Sequence, residues 1–107
     1  MLKVYNLEGQ SGRPVVNQFV IKDDNRKVFQ SYDSTIVKAK WHDIFCEVNI
    51  GHDWDYSRTT SKYFKMFLID EVGFTDEEVE QIKKELRKGH DCITIGRFVI
   101  RYYEGMR

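Results

Sequence analysis

The sequence predicts an α+β domain: a twisted antiparallel β-sheet laid out as a meander, packed by two helices, with a C-terminal β-hairpin. Three observations predict it. Apolar residues alternate with period two through successive short runs up to Ile50. After Gly51 the apolar spacing changes to threes and fours. Near the end, Gly96-Arg97 separates two further β-rich runs.

Residues 2–6 form the first candidate strand, followed by a turn-rich stretch through Gly9 and Gly12. Residues 15–22 read as the second strand, with Phe19 and Ile21 on one face and Val16 and Val20 on the other. Asp23-Asp24-Asn25 is a turn, and residues 27–32 return. In residues 35–41, Val37, Ala39 and Trp41 share a side opposite Lys38 and Lys40. In residues 44–50, Ile44, Cys46, Val48 and Ile50 fall together. Alternation of this kind marks an antiparallel sheet with one buried face.

Residues 57–70 form the first helix, with Thr60, Tyr63, Phe64, Phe67 and Leu68 as its apolar stripe. Either Asp55 or Ser57 can cap its start. The second helix begins at Thr75, where Thr75 and Glu78 have capping-box spacing and Phe74 and Val79 staple spacing. Acidic residues fill its first turn and basic residues its last, and Gly89 stops it. Its apolar stripe of Val79, Ile82 and Leu86 is narrow, as for a surface helix with one docked face. A two-residue turn at Gly96-Arg97 would place Ile93, Ile95, Phe98, Ile100 and Tyr102 on one face. A single bent strand with a bulge at Gly96 is the alternative.

A chain of 107 residues reads as a single domain, residues 1–107, large enough to bury roughly two-thirds of its unfolded surface. Seventeen basic residues balance seventeen acidic ones. The overall charge therefore favours neither a nucleic-acid binder nor an acidic mimic of one. Cys46 and Cys92 are far apart and outside any CxxC motif, as expected of reduced thiols in a cytoplasmic protein. No leader or membrane-length apolar run is visible.

Candidate chemistry concentrates at the strand-to-helix junction, residues 53–60, where carboxylates, aromatics, hydroxyls and Arg58 crowd together. His42, Cys46, His52, Asp53, Asp55, His90 and Cys92 are all metal-ligand types, but their spacing matches no known site. No metal or cofactor is expected. His52, Asp53 and Asp55 could form an acid–base set, yet no nucleophile elbow or phosphate loop accompanies them, so helix capping is the preferred reading. Arg58, Lys62 and Lys65 make a basic stripe on the first helix that could contact nucleic-acid phosphates. Trp54 and Tyr56 precede that helix and either clamp it to the sheet or anchor a partner.

Three ordered blocks, Asn17-Gln18-Phe19-Val20-Ile21, the run from Phe29 through Tyr32 to Ile36, and the run from Trp54 to Phe64, carry a resemblance. Together they resemble a family of small phage and prophage proteins of Gram-positive bacteria that bears a domain-of-unknown-function label. The resemblance covers about residues 3 to 69. It implies a small accessory protein in an infected bacterial cytoplasm and transfers no catalytic residue. Such proteins often bind host machinery, including defence nucleases such as CRISPR effectors. The resulting expectation is a non-enzymatic protein that captures a host protein, with an anti-CRISPR inhibitor as its concrete form. Trp54, Tyr56, Arg58 and Lys62 are its expected contact residues, flanked by Gln30 and Tyr32. A nucleic-acid-binding module using Arg58, Lys62 and Lys65 is the alternative.

Overall fold

In a computed structural model the described residues are 1–103. The strands are β1 (Lys3–Glu8), β2 (Pro14–Lys22), β3 (Arg26–Ser31), β4 (Ser34–Trp41), β5 (Cys46–Gly51), β6 (Cys92–Ile95) and β7 (Phe98–Tyr103). The helices are α1 (Arg58–Phe67) and α2 (Asp76–Arg87). All seven strands join one sheet in the order β1-β2-β3-β4-β5-β7-β6. The first five form the expected antiparallel meander. The closing hairpin is real, with Ile95 opposite Phe98 across Gly96-Arg97, and Gly96 takes a φ of 56.

One pairing departs from a pure meander: β7 lies parallel to β5. The reason is the connection. Two helices and β6 intervene, which gives the chain enough length to return alongside β5 in the same direction.

The register builds the core in rows. Tyr5, Val20, Phe29, Val37, Ile50 and Tyr102 are consecutive neighbours across six strands, all on the face that the helices cover. Phe29, at the centre of that row, stacks on Phe67 of α1 with ring centroids 5.5 Å apart. Both rings are wholly buried, and each such burial contributes about 2 kcal/mol. The opposite face carries the row Val4, Ile21, Val28, Lys38, Asn49 and Arg101, uncovered by any helix among the described residues.

The capping box of α2 forms as expected. The Thr75 hydroxyl accepts from the Glu78 amide at 3.1 Å, and Glu78 accepts from the Thr75 amide at 2.9 Å. Phe74 and Val79 are both buried, and Phe74 packs on Phe98 with centroids 4.3 Å apart. Thr75→Ala should therefore cost about 1 kcal/mol, read as a lower midpoint in thermal or urea unfolding.

At the other end of the sheet, the Tyr5 hydroxyl donates to Glu71 Oε1 at 2.6 Å, and Lys27 Nζ reaches the same oxygen at 3.1 Å. Burial, reinforced by Glu71, pushes the Tyr5 phenol far above its ordinary value of 10.0. The folded state thus keeps this proton after the unfolded chain has lost it. The stability it contributes is complete below the unfolded value and lost as pH rises beyond it. Tyr5→Phe should flatten that part of the alkaline decline, measured as urea midpoint against pH.

Several local expectations shift. β1 runs to Glu8 rather than ending at Asn6. Asn17 has a φ of 65, which breaks the alternation of β2, so Val20 is buried while Val16 is exposed. Ile44 does not join β5 but sits 80% exposed in a turn closed by the His42 amide donating to the Phe45 carbonyl. The Cys46 amide then finds the Arg97 carbonyl of the closing hairpin, which starts β5 there. α1 ends at Phe67 and continues as one wide π-turn, Leu68–Val72, which stops at Gly73 with a φ of 108. Only a residue without a Cβ adopts that value easily.

Candidate partner-binding groove

The start of α1 is built by its own hydroxyls. Ser57, not Asp55, is the cap: its extended backbone lets its hydroxyl accept from the Thr60 amide at 3.1 Å. Ser57 Oγ also donates to Thr60 Oγ1 at 3.2 Å, and Thr60 Oγ1 lies 3.4 Å from Ser31 Oγ at the end of β3. This hydroxyl chain, buried at its Ser31–Thr60 end, ties the first turn of α1 to the sheet. Beside Ser31, the wholly buried Gln18 has no partner for its amide among the described residues.

Before the cap, the chain makes a single 3-10 turn, His52–Asp55, which buries Trp54 and is followed by the exposed Tyr56. Trp54 is 4% exposed, tilted against Phe64 at 5.2 Å, with the Arg87 guanidinium 5.5 Å over its ring. It is therefore a clamp between both helices and offers no contact face. Tyr56 is 72% exposed.

Across from Tyr56, the β3–β4 hairpin turns through Tyr32 and Asp33. Tyr32 is 55% exposed and has a φ of 53, where hairpins favour glycine or asparagine. Its backbone is held on both sides: its amide donates to the Asn17 carbonyl at 2.7 Å, and Gln30 Nε2 donates to its carbonyl at 2.7 Å. Gln30 thus anchors the tyrosine-bearing turn. Holding a tyrosine in this conformation costs about 1–2 kcal/mol. Tyr32→Asn should therefore leave the melting temperature unchanged or raised, read by thermal unfolding. A loss of stability would show that the ring serves the fold.

Between the turn and the junction lies a groove of about 720 Å³. Tyr32 and Asp33 line it from one side, Tyr56 and Asp53 from the other, over a floor that includes Ser31, Thr60 and Ile36. Asp53 Oδ1 contacts His52 Nε2 at 3.1 Å.

The basic stripe of α1 divides. Lys65 is bound to α2, 2.6 Å from Asp76 and 3.0 Å from Glu80. Those carboxylates, Asp76 first, raise its pKa and help clamp the two helices together. Lys62 lies 5.3 Å over the Tyr63 ring and is exposed, as is Arg58. Arg58 occupies the first helical position of α1, whose first turn holds no acidic residue. A cation there opposes the helix dipole by a few tenths of a kcal/mol up to about 1 kcal/mol.

Of the metal-ligand types, the two cysteines lie apart. β7 separates β5 from β6, and in register Cys46 faces the helices while Cys92 faces away. Burial, with Glu47 nearby, pushes the Cys46 thiol up to about 11. Among the described residues no three His, Cys, Asp or Glu side chains gather into a metal-sized cluster. Likewise, no helix among them is long and apolar enough to cross a membrane.

An α+β scaffold that holds two exposed tyrosines over one groove sets the structural class. The chain belongs to a family of unknown function, DUF8033, whose pattern matches residues 3–86. That match takes in the whole groove and most of α2. No curated protein and no solved structure matches the chain.

Proposed function

We propose that this is a small phage- or prophage-encoded accessory protein of Gram-positive bacteria that acts in the host cytoplasm by binding a host protein, without catalysis. Its concrete form is an inhibitor of a bacterial defence system, such as an anti-CRISPR protein that occludes a defence nuclease. The observation that carries the binding reading is the pair of exposed tyrosines, Tyr32 and Tyr56, at one groove, one of them held in a costly backbone conformation. Locally unfavourable choices that persist at an exposed site point to function. Arg58 is a second such choice on the neighbouring helix turn. The bacterial and anti-defence context rests on the resemblance of the three sequence blocks. Trp54, buried against Phe64 and Arg87, fixes the helices beside this surface, and Gln30 supports it through Tyr32.

Affinity capture from phage-infected bacterial lysate tests the reading. Wild-type protein should retain a host protein that a folded Tyr56→Ala/Arg58→Ala variant does not. Equal recovery by both would reject this surface. Of its stripe, the nucleic-acid alternative keeps Arg58 and Lys62 without an ion pair among the described residues, because Lys65 is held by α2. It calls for binding to DNA or RNA that weakens steeply with salt.

A further inference from the structure

Resting on that reading, we infer that the groove between Tyr32 and Tyr56 takes an arginine side chain presented by the protein partner. Each side of the groove supplies one aromatic ring and one carboxylate: Tyr32 with Asp33, and Tyr56 with Asp53. Among the described residues, no Lys, Arg or His lines it. A guanidinium is flat, always charged and rich in donors, so it stacks on aromatic faces and bonds carboxylates at once. The hydroxyls of Ser34 and Ser57 on the lining are acceptors for its remaining N–H groups.

Charge selects the occupant. Asp33 is exposed and has no ion pair among the described residues, and the only salt-bridge partner of Asp53 among them is a histidine. The start of α1 also borders the groove, and its dipole, worth about half a positive charge, favours anions. Two full carboxylate charges outweigh it, and the Ser57 cap already occupies the Thr60 amide. A phosphate backbone entering here would meet both carboxylates, so a nucleic acid is disfavoured. A neutral apolar side chain would leave them without a partner. The volume of about 720 Å³ holds one long side chain with room for its flanking backbone.

Titration of the isotope-labelled protein with a capped Gly-Arg-Gly peptide, followed by nuclear magnetic resonance, tests this. Saturable shifts are expected at Tyr32, Asp33, Asp53 and Tyr56. They should weaken about tenfold in Asp33→Asn/Asp53→Asn, as expected for loss of charge-assisted contacts, and vanish when norleucine replaces arginine. Asp33→Asn alone, at an exposed turn, guards against loss of fold and should weaken them in the same direction. Absent shifts, equal shifts with norleucine, or shifts at these positions caused instead by a single-stranded DNA oligomer would overturn the inference. Lysate capture separates its failure from failure of the underlying reading. Capture lost in Tyr56→Ala/Arg58→Ala but intact in Asp33→Asn/Asp53→Asn keeps the partner surface and removes the arginine. Capture intact in both removes the surface itself.

Discussion

Trp54→Ala should destabilise the protein by about 3–5 kcal/mol, the largest loss expected from any single change near the groove. The indole sits at the joint of the fold, tilted on Phe64 of α1 and covered by Arg87 from the last turn of α2. Removing it leaves a cavity where three elements meet and strips the Arg87 guanidinium of its aromatic face. A domain of this size is stable by only about 5–15 kcal/mol, so the melting temperature should fall by more than about 12 °C. Trp54→Phe keeps most of the packed volume and should lose markedly less. Because Trp54 lies two residues before Tyr56, even a folded Trp54 variant should capture partner less well. Thermal unfolding followed by circular dichroism checks the first effect.

The second large effect is on binding and should leave stability untouched. Tyr56→Ala removes an exposed aromatic, so it should cost about 2 kcal/mol or more of affinity, roughly a thirtyfold loss. Stability should stay within about 0.5 kcal/mol. Adding Arg58→Ala should abolish capture while slightly stabilising α1, since it relieves a cation at the positive end of the helix. A double variant that is as stable as wild type or more so, yet inert in capture, separates working residues from structural ones. Isothermal titration against the isolated partner, alongside urea unfolding, reads both quantities.

The sheet, both helices and the closing hairpin were legible because each rests on local rules. The Thr75–Glu78 box and the Gly96-Arg97 turn are specified by neighbouring residues, and both form as expected. Features set by distant partners were not legible. The parallel pairing of β7 with β5 depends on how the two helices fold back, which no short window contains. Alternation suggested that Ile44 extends β5, but the Cys46 amide pairs with Arg97, some fifty residues away, and strand pairing begins there.

The same distinction governs the groove. The sequence marked the crowded junction at Trp54 and Tyr56, yet a single 3-10 turn decides which ring is buried, and that turn has no apolar period to read. Tyr32 enters the site through a left-handed backbone at a hairpin position where glycine would be expected. A tyrosine immediately before Asp33 in a two-residue turn was the available signal. Lys65 looked like part of a free basic stripe until α2 placed Asp76 and Glu80 against it.

Hydroxyl-radical footprinting of the captured complex against the free chain tests most directly whether the Tyr32–Tyr56 groove is the contact surface. Oxidation of Tyr32 and Tyr56 should fall sharply on capture, while Phe45, exposed at the opposite end of β5, keeps its free rate. Unchanged oxidation of both tyrosines in a stable complex would contradict the account.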